Sequence, residues 1–203
     1  MQKNTPVRGV IVTAFGGPEQ LTPDTVSEAP TAGALELLVD VEAAGINYLD
    51  VYQRSGRYKL PLPYTPGFEG VGRVRQVGAG VSGFAVGDRV AWINVLGSYA
   101  SQVIVPAAQA IAVPDQFTTT QALMFQSLTA QYLVTEYREI RPGDRVLVHS
   151  AAGGVGLLLV QWLKHLGAQV IGTTSNDAKA ATARAAGADA VINYSRNYEF
   201  WTI

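Results

Sequence analysis

The residues of this chain best suited to chemistry lie in Arg145-Val146-Leu147-Val148-His149-Ser150-Ala151-Ala152-Gly153-Gly154-Val155-Gly156-Leu157-Leu158-Leu159-Val160, where an apolar run passes through a turn of small residues into a second apolar run. Ala151, Gly153 and Gly156 fall at the spacing of a dinucleotide-binding fingerprint, with alanine in its first place. Small side chains there let the backbone turn sharply, approach a pyrophosphate and pack a helix closely on a strand. The N–H groups that open the helix, those of Gly154 and Val155 among them, carry its partial positive charge and receive the phosphates.

The stretch that follows selects the nucleotide. Gln169-Val170-Ile171-Gly172-Thr173-Thr174 reads as a second parallel strand, entered after a helix closed by Gly167. A site for NAD places a carboxylate about 20 positions beyond the glycine turn to hold the ribose 2'-hydroxyl. That zone here is Thr174-Ser175-Asn176, with no acidic residue before Asp177. Room is left for a 2'-phosphate, and Lys179 can neutralise one, which favours NADPH over NADH. Asp177 serves equally well as a helix-capping residue, and Lys179 as a solvated surface charge.

Composition narrows the function classes. The chain has 203 residues, 48% hydrophobic and 15% charged, enough for a packed core. A net charge of −1, with no basic cluster interleaved with aromatics, argues against nucleic acid as a main partner. The apolar run Val155 to Leu163 is broken by Gln161 and is too short to span a bilayer. No charged leader or signal-like segment precedes Val7, so a cytoplasmic location with no membrane partner is expected. There are no cysteines and only two histidines, His149 and His165, which nearly excludes a zinc site. His165, beside Lys164, suits the last turn of a helix. His149 ends a strand just ahead of the glycine turn, a place compatible with a cofactor cleft and with a hydrogen-bonding role in the core.

The elements that must position these residues fall into two kinds. Up to about residue 117 the chain is turn-rich, with strands predicted at Val7 to Val12, Leu35 to Ala43, Val71 to Val77, Arg89 to Ile93 and Ser101 to Val105. Short strands punctuated by Gly and Pro imply a compact, mostly antiparallel, barrel-like domain. Lys59 to Gly67 carries Pro61, Pro63 and Pro66 and is predicted as a loop. From Thr118 the period changes: Thr118-Thr119-Thr120-Gln121 has the form of a capping box, with helix expected to about Tyr137. Strand, helix and strand then alternate through Ala190-Val191-Ile192-Asn193, the pattern of parallel α/β units. The expected domains are residues 1–122 and 123–203. Gly-Asp-Arg-Val occurs at 87–90 and at 143–146, and reads as a recurring turn into a strand rather than a duplication.

Three stretches together resemble the medium-chain dehydrogenase/reductase superfamily, and within it the zinc-free quinone oxidoreductases related to zeta-crystallin. They are Ala44-Gly45-Ile46-Asn47-Tyr48-Leu49-Asp50-Val51-Tyr52-Gln53-Arg54-Ser55-Gly56, then Pro66-Gly67-Phe68-Glu69-Gly70-Val71-Gly72 with Val77-Gly78-Ala79-Gly80-Val81, and Ala151 to Gly156. The resemblance runs from Val7 to about Tyr194. It implies an α/β fold with an N-terminal GroES-like, β-barrel-type catalytic domain followed by the first half of a Rossmann domain. Zinc alcohol dehydrogenases carry a cysteine where this chain has Asn47 and a histidine where it has Phe68. The resemblance therefore implies direct hydride delivery, without zinc, from NADPH to a quinone or to an α,β-unsaturated carbonyl.

By the same resemblance Asn47 and Tyr52 are candidate donors to the acceptor oxygen, with Asp50 in support. Read from the residues alone, Asn47 is also a fair helix N-cap with Asp50 as its capping partner. Glu69 is expected to be structural. On the nucleotide side the resemblance adds Thr129 near the nicotinamide, with Ser175, Lys179 and Tyr194 around the 2'-phosphate. Thr129 is alternatively a helix threonine bonding its own backbone. The family is homodimeric, and a non-catalytic, crystallin-like binding or structural role is also known within it. A complete doubly wound fold uses about six strands, whereas only three are expected here. From Arg196 onward the residues cease to look like the family's continuation, so a C-terminally truncated form with impaired activity and doubtful dimerisation is expected.

Overall fold

The computed structural model describes residues 6–27 and 30–196, apart from the side chains of Val26 and Ser27. The tail after Arg196, which the sequence sets apart, lies outside the described residues. The chain divides into two compact units, Met1–Phe125 and Gln126–Ile203.

The first unit is antiparallel. Strand β1 (Val7–Ile11) pairs with β2 (Thr22–Ser27) in a two-stranded sheet. Strands β3 (Glu36–Ala44), β4 (Glu69–Val77), β5 (Arg89–Ile93), β6 (Gln102–Pro106) and β7 (Ala110–Ala112) form a five-stranded sheet in the order β6-β3-β4-β5-β7. The β3/β4 register shifts at Leu38/Val39 and again at Val41/Ala43, and such irregularities bend and twist the ribbon. The curled sheet closes over Leu37, Val39, Val74, Val90, Trp92 and Val105, all buried. The Trp92 indole N–H donates to Ser98 Oγ at 2.9 Å, so the largest core side chain leaves no polar atom unpaired. The expected barrel-like domain is thus present. Strand β2 is polar and β7 is three residues long, which is why neither is visible as a period in the sequence. The 59–67 segment is a loop as predicted, held by the antiparallel bridge Val12–Tyr64.

Between β3 and β4 lies helix α1 (Tyr48–Arg54), seven residues long and preceded by Asn47 in extended conformation. The predicted helix after Thr118 is partly displaced. Gln121 N–H donates to Thr118 Oγ1 and Thr118 N–H to Gln121 Oε1, so the capping partners do meet, but they close a turn. Helix α2 starts only at Phe125 and ends at Thr135. The reason is tertiary: the N–H groups of Met124 and Phe125 both donate to Glu69 Oε2 at 3.0 Å, and this distant carboxylate fixes where the helix begins.

The second unit alternates as expected. Strand β8 (Arg145–Val148), helix α3 (Gly154–His165), strand β9 (Gln169–Thr174), helix α4 (Asp177–Ala185) and strand β10 (Ala190–Asn193) form a parallel sheet in the order β10-β9-β8. Val148, Ala151, Val160, Leu163, Val170 and Ala183 make its core. Gly167 has φ +80° and ends α3, and its N–H donates to Lys164 O at 3.1 Å. The repeated Gly-Asp-Arg-Val is a repeated device. Gly87 and Gly143 both have positive φ, +95° and +88°, and the arginine two residues on opens β5 and β8 respectively.

Candidate active site

In the first unit the polar residues singled out by the sequence gather at the start of α1. Asn47, Asp50 and Glu69 are all buried in a part of the fold otherwise built from apolar strands. The Asn47 N–H donates to Asp50 Oδ2 at 2.8 Å, the reach-back half of a capping box, which satisfies a backbone donor left over by the short helix. The Asn47 amide Nδ2 donates to Glu69 Oε1 at 2.8 Å. Tyr99 Oη donates to Asp50 Oδ2, also at 2.8 Å. Asp50 Oδ1 and Tyr64 Oη are buried without a hydrogen-bond partner. Burial pushes the Asp50 carboxyl above the ordinary carboxylate range; the bonds from Asn47 and Tyr99 pull it down, and the Glu69 charge adds to the rise. Tyr99 and Tyr64 are likewise raised, chiefly by burial and then by Asp50.

Glu69 is packed as tightly as it is bonded. A Cβ on Gly45 would fall 2.0 Å from Glu69 Oε1, so only glycine admits the carboxylate at that point. The sequence marks Glu69 as structural, and its bonds to Asn47 and to the opening of α2 give that role content. Tyr99 was not singled out, because a tyrosine between two strands carries no signal of its own; only the fold shows that it bonds Asp50.

Tyr52 is not part of this cluster. Asp50 and Tyr52 are two residues apart and so point from different sides of α1. Tyr52 instead meets Tyr48 edge-on at 5.0 Å and Tyr58 at 5.3 Å, with the Arg57 guanidinium 4.6 Å over its ring. Tyr48 is exposed beside it. The candidate donors Asn47 and Tyr52 therefore occupy two settings, one locked in a buried network and one on an aromatic, partly exposed face.

In the second unit the fingerprint forms the predicted turn between β8 and α3. Ser150 takes a left-handed conformation, φ +52°, uncommon for a residue with a side chain. Its carbonyl accepts the Gly153 N–H at 2.8 Å. A Cβ on Gly156 would lie 2.3 Å from that backbone oxygen, so this position requires glycine in this geometry, while one on Gly154 would lie 2.1 Å from Gln126 Oε1, the end of a side chain that can turn away. Ala151 is fully buried and its N–H donates to Thr173 O at 3.0 Å, tying the turn to β9. The bond from Leu157 N–H to Gly153 O opens the helical ladder, so the amides of Gly154, Val155 and Gly156 stand ahead of it. This is a cradle whose small residues and leading amides fit a pyrophosphate. His149 Nδ1 lies 3.2 Å from Thr173 Oγ1, which gives it a hydrogen-bonding place under the turn.

At the tip of β9, Ser175 and Lys179 meet: Lys179 Nζ donates to Ser175 Oγ at 3.3 Å. Asn176 caps α4 by accepting the Lys179 N–H at 2.9 Å, so the cap is Asn176 and Asp177 is the first helical residue. The Tyr194 N–H donates to Thr174 O at 3.1 Å, which brings the end of β10 to the same tip with the Tyr194 ring exposed. Ser175 and Lys179 are thus in contact, and the backbone of Tyr194 is held at the same strand end. Thr129 lies on α2, exposed. Among the described residues no three His, Cys, Asp or Glu side chains are grouped to hold a metal ion. No helix there is long and apolar enough to cross a membrane.

The antiparallel barrel-like unit followed by a glycine-turn α/β unit is the architecture of a medium-chain dehydrogenase/reductase. Residues 33–115 match the alcohol dehydrogenase GroES-like domain, and residues 154–201 match the zinc-binding dehydrogenase domain. The second match runs past Tyr194, beyond where the sequence reading sees the resemblance stop. Quinone oxidoreductase of Pseudomonas aeruginosa is 44% identical over 90% of this chain and 57% of its own length. The 2-haloacrylate reductase of a Burkholderia species is 39% identical over 93% of this chain and 59% of its own. In structure, quinone oxidoreductase of Escherichia coli complexed with NADPH matches with a TM-score of 0.88 and 39% identity, over 94% of this chain and 59% of that one. This chain belongs to the medium-chain dehydrogenases/reductases, and within them it is similar to the quinone oxidoreductases. It spans somewhat under three-fifths of the length of the curated relatives.

Proposed function

We propose that the protein is an NADPH-dependent reductase that delivers hydride to a quinone, with an enone as the alternative acceptor class, and that it does so without zinc. The observation that carries this reading is the glycine cradle at Ser150–Gly156 followed by a β9 tip with Ser175 and Lys179 and no carboxylate before Asp177. Ala151, Gly153, Gly154, Val155 and Gly156 would hold the pyrophosphate. Ser175, Lys179 and Tyr194 would take the 2'-phosphate, and Thr129 would stand near the nicotinamide. NADPH, when bound, supplies the hydride.

The chain's own residues must orient the acceptor and supply a donor for charge developing on its oxygen. The bond to Glu69 fixes the direction of the Asn47 amide, which supports its reading as a positioned donor. The Tyr52 phenol is the second donor, on a face whose aromatic neighbours match a planar ring. Asp50 acts on Asn47 and not on the acceptor, since its bonds run to the Asn47 backbone and to Tyr99. Asn47 and Phe68 stand where the zinc-dependent branch has ligands, which supports direct transfer to an acceptor that is already electron-poor. The 2-haloacrylate reductase relative keeps the second acceptor class in play, because a haloacrylate is also a double bond conjugated to a carbonyl. The domain assignment, 1–122 catalytic and 123–203 nucleotide-binding, and a cytoplasmic location belong to the same proposal.

Calorimetric titration with NADPH and NADH in parallel tests it. Saturable binding that prefers NADPH, followed by oxidation of NADPH on adding a quinone or an enone, is the expected result. A folded chain that binds neither nucleotide would remove the reductase reading.

A further inference from the structure

Beyond the β9 tip, the residues after β10 form a device that the fingerprint does not include. Asp177 is the first carboxylate after the strand whose end selects the nucleotide. An acidic group in that region accepts a ribose 2'-hydroxyl and repels a 2'-phosphate. In this chain both of its oxygens are engaged. Asn193 Nδ2 donates to Asp177 Oδ1 at 2.8 Å, and the Arg196 guanidinium pairs with Asp177 Oδ2. The clamp is itself oriented: Asn193 Oδ1 accepts Ser195 Oγ–H at 2.7 Å and the Ser195 N–H at 3.2 Å, which aims the amide nitrogen at Asp177. Arg196 N–H donates to Asn193 O at 3.1 Å, closing the turn that brings the guanidinium round. The turn is docked at the correct place, because the Tyr194 N–H bonds Thr174 O at the end of β9.

We propose that Arg196 is a specificity-determining residue for the nucleotide: by pairing with Asp177 it cancels the negative charge that follows Ser175 and Asn176, so that the tip of β9 favours a 2'-phosphate over a 2'-hydroxyl. The proposal rests on the nucleotide reading given above. With Arg196 present the group Lys179, Asp177 and Arg196 carries a net positive charge. Without it the group is neutral, and Asp177 regains an open oxygen facing solvent.

The test uses the 203-residue chain, with adenosine 2',5'-bisphosphate and adenosine 5'-monophosphate as probes that differ only in the 2'-phosphate, and with NADPH and NADH alongside. Dissociation constants are read by calorimetry. The wild type prefers the 2'-phosphorylated probe. Arg196→Ala lowers that preference roughly fivefold to tenfold, the scale of one exposed charge acting on a dianion. Arg196→Lys retains most of it, and the pair Arg196→Ala with Asp177→Asn restores it. Equal weakening of both probes in Arg196→Ala would assign the arginine a structural role only and overturn the proposal. Failure of Asp177→Asn to restore the preference would also overturn it, in favour of direct contact between Arg196 and the phosphate. A wild type indifferent to the 2'-phosphate would sink the NADPH reading itself and this proposal with it.

Discussion

Asp50 is a buried carboxyl in the first unit whose burial is only partly offset by its hydrogen bonds. Burial raises its carboxyl, and one oxygen has no partner. The sign follows from linkage. A carboxyl whose pKa is higher in the folded chain than its unfolded value of about 3.9 binds protons more readily when folded, so stability falls as pH rises from there through the folded pKa. Asp50→Asn keeps an oxygen for the Asn47 N–H and the Tyr99 hydroxyl and removes the titration. Its melting temperature is expected to change less between pH 4 and pH 7 than the wild type's; parallel curves would show that another group titrates. Glu69 sits at the opposite extreme, with its oxygens occupied by Asn47 and by two backbone amides. Glu69→Ala removes an acceptor from the buried Asn47 amide and from the part-buried N–H groups of Met124 and Phe125 and is expected to cost about 3 kcal/mol, with Glu69→Gln losing less because one acceptor survives. Urea unfolding of the two variants checks the order. Asn47 and Asp50 were visible in the sequence as a capping pair. Their ties to Glu69 and Tyr99 were not, because those bonds join residues 22 and 49 positions apart, and spacing carries no trace of them.

At the scale of elements, what was legible is what a local period encodes. Strands β8, β9 and β10 and helices α3 and α4 follow from alternation and from glycine stops, and the observed limits of β9 and β10 are the expected ones. Strand β2 gains its conformation from pairing with β1, and β7 from pairing with β5, so neither announces itself in its own residues. The start of α2 went astray for the same reason, since Glu69 decides it from outside the helix. The glycine turn allows the sharpest element-level prediction, because its two outer glycines differ. A Cβ on Gly156 would meet Ser150 O at 2.3 Å, backbone that cannot give way without opening the turn. One on Gly153 would meet the same oxygen at 3.2 Å, from a φ of −81° that any residue adopts. Gly156→Ala is expected to abolish NADPH binding in calorimetry, whereas Gly153→Ala weakens it only several-fold. Equal loss in both would mean that the tight approach at Gly156 is not what the cradle needs.

Considered whole, the two units present different boundaries to solvent. In the first, the sheet curls over a core of Leu37, Val39, Val74, Val90, Trp92 and Val105. In the second, β9 is flanked on both sides, while among the described residues β8 pairs with β9 alone in a three-stranded sheet. Along β8 a groove of about 380 Å³ is lined by Leu133, Tyr137, Ile140, Leu147 and Leu159. Tyr137 is 75% exposed and Leu147 50%. An edge strand with apolar side chains and unpaired backbone groups is a template for association. Arg138 and Arg145 also line the groove, Arg138 drawn to Asp144, so charge blunts the start of this edge while Leu147 stays apolar further along it. Concentrated protein is therefore expected to self-associate through this face, with light scattering that grows with concentration at fixed temperature. Leu147→Lys places a charge on the edge where half of the side chain already meets water. It should suppress scattering while leaving the melting temperature within a degree or two, since a surface substitution of this kind changes stability by about 0.5 kcal/mol or less. Scattering that persists unchanged in Leu147→Lys, with folding intact, would place the association elsewhere on the molecule and leave β8 an exposed edge without consequence.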